Sequence, residues 1–289
     1  GRLVISSTDV DGVPRLDILA LDKGPGMEDP IECLRDGFST AGTAGQGLGA
    51  VLRMSDIFDL YTQTDRGTAV LSTLYQSRPP QPPTADIGGV CVPLEGEIRC
   101  GDCWALFGIG DRLVLMVFDG LGHGMIAAEA AEAACRSAAS VASESPKIIL
   151  ETVHKALYHT RGGAALIVEA DWRRGILRQA GIGNVAGRML RGQLYRSFLS
   201  MEGILGEQVR RLEEISLPLE SYPLLVVHTD GLSTRWDLKD YPGLANHRAA
   251  LIAGVLFRDF YRQRDDGTVV VIKRGPNHDR YSQSDGHFD

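Results

Sequence analysis

The sequence predicts an α+β protein: a small α/β layer at the N-terminus, then a larger set of sheets packed inside helices. Three observations predict it. Short apolar strand runs alternate with helix-length runs along the 289 residues, the pattern of sheets covered by helices. The stretch Ser77-Arg-Pro-Pro-Gln-Pro-Pro-Thr84 interrupts them. Proline lacks the N–H that a helix or central strand needs, so this run reads as an extended spacer between domains. Finally, four aspartates sit beside turn residues where strongly apolar strands begin or end.

Residues 1–76 form the first unit. Arg2–Ser7 and Arg15–Leu21 read as strands around a turn at Asp9-Val-Asp-Gly12. A glycine-rich stretch follows, then a helix over Leu48–Asp56 with Leu48, Val51, Leu52 and Met54 as its apolar residues. Ile57–Gln63 and Ala69–Tyr75 read as two more strands. After the spacer at 77–84, residues 85–274 form the second unit. Leu113–Phe118 is a buried strand running into Asp119-Gly120, and an alanine-rich helix spans Met125–Ser140. Pro146–His159 is a second helix. Ala164–Ala170, Gly175–Gly181, Val185–Arg191 and Gln193–Ser197 are strands at hairpin spacing. Leu224–His228 is another buried strand, Ala245–Arg262 a third helix and Thr268–Lys273 the last strand. The polar tail 275–289 is expected to be disordered.

Bulk properties exclude several classes. Hydrophobic content is 44% and charged content 23%, ordinary for a water-soluble fold. The net charge of −7 and the absence of clustered Lys and Arg speak against a nucleic-acid partner. No apolar run approaches the roughly 20 residues that span a bilayer, so no membrane partner is expected. The first residues enter a strand pattern directly, without a signal peptide, and a cytoplasmic location follows as the default. Five cysteines, an odd number, argue against a disulfide framework. Cys100-Gly-Asp-Cys103 has no second ligand pair nearby for zinc and reads as buried thiols beside a functional Asp.

The acidic positions carry the chemistry. They are Asp102 after Cys100-Gly, Asp119 in Val117-Phe-Asp-Gly-Leu-Gly-His-Gly124, Asp230 in His228-Thr-Asp-Gly231, and Asp265 in Arg264-Asp-Asp-Gly-Thr268. Any one Asp-Gly is a common turn. Strand ends that converge, however, bring carboxylates together, and like charges then raise each other's pKa. Hard divalent cations, which prefer oxygen ligands, relieve that repulsion. A pair of them can clamp both ends of a phosphoryl displacement.

These segments resemble the SpoIIE-type, RsbX-like branch of the metal-dependent protein phosphatases. Gly101-Asp102-Cys103-Trp104, Asp119-Gly-Leu-Gly-His-Gly124, Thr229-Asp230-Gly231 and Asp265-Asp266-Gly267-Thr268 match its motifs in order, and Gly181-Ile-Gly-Asn184 is similar as well. The resemblance covers about residues 86–274. It implies a four-layer α/β-sheet/β-sheet/α sandwich holding two Mn²⁺ or Mg²⁺ ions. Asp119 would bridge them, the Gly120 carbonyl would complete one coordination sphere, and Asp102, Asp230 and Asp265 would hold the metals directly or through water. Asp266 would stand behind these ligands. The implied reaction is hydrolysis of phosphoserine or phosphothreonine in a regulatory protein, such as a STAS-type antagonist of an anti-sigma factor. The chain departs from the eukaryotic members at Leu121, where they place a histidine; His123 lies two residues on. Arg99 and Arg264 are candidates for gripping phosphate.

The N-terminal glycines carry a second resemblance. Asp22-Lys-Gly24-Pro-Gly26 follows a strand, Gly45-Gln-Gly47-Leu-Gly49 opens a helix, and Gly67-Thr68 begins the last strand. Free N–H groups at a helix start favour phosphate. Together these residues resemble the ATP-binding GHKL fold, in particular the RsbT-like anti-sigma serine kinases. Asp22, Gly24, Gly26, Gly45, Gly47, Gly49 and Thr68 would then line an ATP site in a partial two-layer α/β domain. The family's helix with its Mg²⁺-chelating Asn and catalytic acid should precede Gly1, so kinase activity is not expected of the sequence as it stands. The competing reading is an anti-sigma-type kinase or a sequestering regulator with a vestigial phosphatase. The intact set of four aspartates argues against it.

Overall fold

In the computed structural model the described residues are 1–10, 13–37, 45–77, 85–109, 111–219 and 222–274. Residues 78–84 of the proline-rich spacer (77–84) and the polar tail (275–289) lie outside them.

Three sheets and the helices between them stack in five layers. The N-terminal sheet contains β1 (Arg2–Val10), β2 (Val13–Leu21), β3 (Ile57–Gln63) and β4 (Gly67–Tyr75), in the order β1-β2-β4-β3, all antiparallel. Between its strands lie two short helices, α1 (Pro30–Cys33) and α2 (Gly47–Met54). A second sheet runs β11-β10-β13-β14-β5. It is built from β5 (Ala85–Val92), β10 (Ala186–Arg191), β11 (Leu194–Ser197), β13 (Leu224–His228) and β14 (Gly267–Arg274). The third runs β12-β9-β8-β7-β6, from β6 (Asp102–Ile109), β7 (Arg112–Gly120), β8 (Gly163–Asp171), β9 (Ile176–Ile182) and β12 (Ile215–Pro218).

The second and third sheets pack face to face through Ile87, Leu115, Val117, Leu166, Leu225, Val227 and Val270. Alternation along β7 puts Val114, Met116 and Phe118 on its other face, against α3 (Met125–Ser140) and α4 (Pro146–Ala156). The buried residues of α3 are all alanines, Ala127 to Ala138, so this helix lies close on the sheet. The sandwich expected from the resemblance is therefore present.

The outer helix of the sandwich is α5 (Ala249–Phe260), and every residue from Ala249 to Arg258 is buried. A helix that is apolar all round must be covered on all sides. One side rests on β5 and β14. There Gly88 permits the approach, because a Cβ on it would lie 2.3 Å from the backbone of Ala250. The other side is covered by the N-terminal sheet. Val4, Leu19 and Leu71 are register partners across β1, β2 and β4 and share one core with Leu251, Val255 and Phe257. Gly254 faces Leu19 and Leu21. The N-terminal α/β layer thus takes its packed helix from the C-terminal segment. The helix expected at Leu48–Asp56 forms as α2, but Val51, Leu52 and Met54 remain exposed.

Polar contacts reinforce the joint. Arg15 pairs with Asp17 at 2.9 Å, both buried, and donates to the carbonyl of Ile87 on β5. Asp59 accepts from the Arg248 N–H at 2.7 Å and holds His247 at 2.7 Å, just before α5 begins. Arg258 donates to the Asp22 carbonyl at 3.2 Å.

Candidate metal centre and active site

Strand pairing places the aspartates. Asp102 opens β6 and Asp119 is the last residue but one of β7, and the two are direct partners across the antiparallel pair. Asp230 follows β13, and Asp265 precedes β14, which pairs with β13. The adjoining ends of two sheets therefore present four carboxylates to one edge of the sandwich. Close backbone approach holds the ends together: a Cβ on Gly231 would lie 1.8 Å from the Asp266 carbonyl oxygen.

Three of the four carboxylates are oriented by a neighbour through a hydrogen bond. The Thr229 hydroxyl donates to Asp102 Oδ2 at 2.7 Å, and its oxygen accepts from Thr268 N–H at 3.1 Å. Asn184 donates to Asp230 Oδ2 at 2.6 Å. Asp265 Oδ1 accepts from the Asp266 N–H at 2.9 Å. Asp266 stands behind the ligands: its two oxygens accept from Leu94 N–H at 2.7 Å and Gly101 N–H at 2.6 Å, fixing the loop that leads into Asp102. His228, buried, accepts from Trp236 Nε1 at 3.1 Å and, through Nδ1, contacts the Thr229 carbonyl at 2.9 Å. Burial drives its pKa down to about 4, so it braces the turn as a neutral ring.

The electrostatics call for cations. Burial, then the charges of Asp102 and Asp230, push the Asp119 carboxyl up to about 8. Burial also holds Asp102 well above the usual carboxylate range. Asp230 is raised by burial and by Asp265, against the opposing pull of Arg262. The decisive atom is Asp119 Oδ2, buried with no hydrogen-bond partner among the described residues. An orphaned carboxylate oxygen among other carboxylates fits a divalent cation. Among the described residues no three acidic, His or Cys side chains form a ready-made cluster around one ion. Mg²⁺ takes only one or two carboxylates and keeps several waters, so a centre shared through Asp119 fits this donor set.

A pH dependence follows. A carboxyl whose pKa rises on folding binds its proton more tightly when folded. The metal-free protein is therefore expected to lose stability as pH rises from about 4 through about 8, and to level off above. Metal, competing with those protons, should stabilise more at pH 8 than at pH 5. Urea unfolding at each pH, in EDTA and in excess Mg²⁺, checks both; a Mg²⁺ effect that does not grow with pH would contradict the assignment.

Other residues come to this edge that sequence reasoning missed or misplaced. The Arg161 guanidinium lies over Gly122, within 3.1 Å of where a Cβ would stand, on the loop between Asp119 and α3. Arg99 pairs instead with Glu132 on α3. His123 Nδ1 is held by Glu97 at 2.7 Å. A cavity of about 350 Å³ opens alongside, lined by Leu121, Asn184, Ser200, Met201 and Ile204 among others. Arg161 carries no motif, and only the fold brings it to Gly122.

The comparisons with known proteins bear on the family and the fold. A family model described as Stage II sporulation protein E (SpoIIE) matches residues 109–275, more than half of the chain. The chain belongs to the SpoIIE family. The phosphoserine phosphatase RsbX of Bacillus subtilis (strain 168) is 28% identical over 141 residues, 48% of this chain and 70% of RsbX. A solved structure described as the bacterial stressosome, adapted to control secondary messenger signalling, superposes with TM-score 0.61 at 29% identity, over 65% of this chain and 99% of that one. RsbX in complex with magnesium gives TM-score 0.58 at 22% identity, over 66% and 96%. The PP2C phosphatase domain of Bacillus subtilis SpoIIE, with a fragment of its regulatory domain, gives TM-score 0.56 at 17% identity, over 94% and 81%. The last two speak for the fold. This SpoIIE-family chain is a protein phosphatase with a PP2C-type sandwich.

The chain is also similar to the serine/threonine-protein kinase RsbT of the same organism, 39% identical over 70 residues, 24% of this chain and 53% of RsbT. The chain thus spans about half the length of that kinase. Of the residues expected to line an ATP site, the structure brings Asp22, Gly24 and Thr68 together. Asp22 Oδ1 accepts from Gly24 N–H at 2.7 Å and Thr68 N–H at 3.3 Å. Gly26 lies against Gln63. Gly45 and Gly47 lead into α2, and Gly49 faces Asp36 and Leu34; no described contact links these three to Asp22. Among the described residues no helix is long and apolar enough to cross a membrane.

Proposed function

We propose that this chain is a Mg²⁺- or Mn²⁺-dependent phosphatase of phosphoserine or phosphothreonine in a regulatory protein, a STAS-type antagonist in sigma-factor or stress signalling. The observation that carries the reading is the buried, unpartnered Asp119 Oδ2 among Asp102, Asp230 and Asp265. Asp119 would bridge two ions, with the Gly120 carbonyl, Asp102, Asp230 and Asp265 completing their ligands. Ions held there would supply charge to offset that on the phosphoryl oxygens and a water acidic enough for in-line attack.

The chain's own residues do the rest. Thr229 and Asn184 keep the Asp102 and Asp230 carboxylates in fixed orientations, so little reorganisation accompanies the reaction. Arg161, beside Gly122, grips the phosphate. His123, held by Glu97 through Nδ1, keeps its other ring nitrogen for protonating the departing serine oxygen. The cavity beside Leu121 receives the residues flanking the phosphoserine.

Arg161→Ala should lower kcat/KM on a phosphoserine peptide by about 10–100-fold, the worth of a charge-assisted contact to phosphate, with Arg161→Lys in between. Wild-type kinetics in Arg161→Ala would remove Arg161 from the site. The function itself is tested by phosphate release from a phosphoserine peptide and a phosphorylated STAS protein, with and without Mn²⁺. The reading expects release only with metal. A folded protein that releases none under either condition would support the sequestering regulator instead. A kinase reading finds less support, because the Asp22 carboxylate is engaged by the Gly24 and Thr68 N–H groups and the sheet's core face is closed by α5.

A further inference from the structure

Two thiol pairs flank the metal centre, and the phosphatase chemistry uses neither. Cys91 on β5 and Cys100 before β6 have sulfurs 3.6 Å apart. The second pair is closer. Cys103, next to Asp102 on β6, and Cys135 on α3 have sulfurs 2.6 Å apart. Cys103 Sγ also donates to the Ala131 carbonyl at 3.2 Å. Ala131 and Cys135 are one helical turn apart, so both contacts fall on the face of α3 that meets β6. Both cysteines pack at the edge of the core between α3, α4 and their sheet, and both are partly exposed rather than sealed. A metal does not explain the pair, since among the described residues no third ligand joins it.

We propose that Cys103 and Cys135 form a modification site: a dithiol that a peroxide oxidises to a disulfide and that a thiol reductant restores. The distance already approaches the roughly 2.05 Å of a disulfide bond. In the first step the Cys135 sulfur attacks hydrogen peroxide. The O–O bond breaks, water leaves and Cys135 becomes a sulfenic acid. The Cys103 sulfur then attacks Cys135, the S–O bond breaks and a second water leaves. Two S–H bonds are exchanged for one S–S bond, and the two electrons have reduced one peroxide. The Cys103 thiol donates its hydrogen bond to the Ala131 carbonyl, while the contact with Cys103, against burial and with the charge of Arg136, lowers the Cys135 pKa; together these mark Cys135 as the attacking sulfur. The bond would tie the strand that carries Asp102 to the helix that follows the Asp119 loop, two elements that otherwise meet through side-chain packing and the Cys103–Ala131 hydrogen bond.

The test is thiol mapping of the full chain. The protein is treated with equimolar hydrogen peroxide, its remaining thiols are alkylated, and its peptides are analysed by mass spectrometry. The expected result is a Cys103–Cys135 linked peptide, lighter than the two separate peptides by two hydrogens and separated by dithiothreitol, with two fewer alkylated thiols per chain. In Cys135→Ser the linked peptide should vanish and Cys103 should be alkylated. The site is overturned if wild type keeps both thiols alkylatable, if Cys135 proceeds to sulfinic acid without a link, or if Cys91–Cys100 alone is joined. None of these readouts depends on phosphatase activity.

Discussion

Asp119→Asn is expected to lower kcat for phosphoserine hydrolysis by about 10³-fold or more, corresponding to about 4 kcal/mol of transition-state stabilisation. The amide keeps the shape of the side chain, and the strand pairing of Asp119 with Asp102 and Ala164 is made by backbone, so the fold persists. The variant should gain stability when metal is absent. Wild-type Asp119 is pushed up to about 8 by burial and by Asp102 and Asp230, so near neutral pH the folded protein carries a strained carboxyl that asparagine removes. Thermal melts in EDTA should therefore show Asp119→Asn above wild type, by about 2–4 °C for each kcal/mol relieved. Added Mg²⁺ should raise the wild-type melt and leave the variant nearly unmoved. A variant that loses activity and also melts lower in EDTA would mark Asp119 as a structural residue.

The second large effect lies far from the metal centre. Leu19 and Leu71 are 0% and 2% exposed, and both belong to the core built around α5. Leu19→Ala or Leu71→Ala should cost about 2–5 kcal/mol. The loss should appear in the phosphatase, since α5 also forms the outer layer over β5 and β14 that carries the Asp265 end of the sheet. Heating should then inactivate phosphate release in step with unfolding, in one transition at a lower temperature than wild type. If the N-terminal sheet melted by itself while the activity kept its wild-type thermal midpoint, the shared core would not be what stabilises the enzyme. The same joint suggests what the N-terminal sheet contributes here: a packing surface for α5.

Much of this was legible in the sequence. Leu224–His228 and Met125–Ser140 are found at the predicted bounds, because one is a continuous apolar run leading into Thr229-Asp-Gly231 and the other an alanine-rich stretch that starts just after Gly122-His-Gly124. The ends of the Asp119 and Asp230 strands were legible for the same reason. Other elements were not. The edge strand β12 (Ile215–Pro218) is four residues long and half exposed, too short for a period to show. The third helix was expected over Ala245–Arg262 but forms as Ala249–Phe260, preceded by a short 3₁₀ turn at Leu244–Asn246. The signal that it is covered on every side was present in its unbroken apolar run from Ala249 to Phe257. What covers it could not be read, because the contact to Leu19 and Leu71 spans more than 170 residues of chain and follows no local period. Arg161 was hidden for a similar reason: a lone arginine before Gly162 resembles any surface arginine until the fold sets it against Gly122. The candidate metal ligands were legible because their chemistry is written in turn dipeptides at strand ends; their mutual orientation by Thr229, Asn184 and Asp266 is a property of the assembled edge.

The most direct test of the central claim is a crystal structure of the protein grown with Mn²⁺, read by anomalous scattering at the manganese edge. The account predicts two peaks about 3.5–4 Å apart, with Asp119 between them and Asp102, Asp230, Asp265 and the Gly120 carbonyl around them. Anomalous density elsewhere, or none at Asp119 in crystals soaked at saturating Mn²⁺, would contradict it.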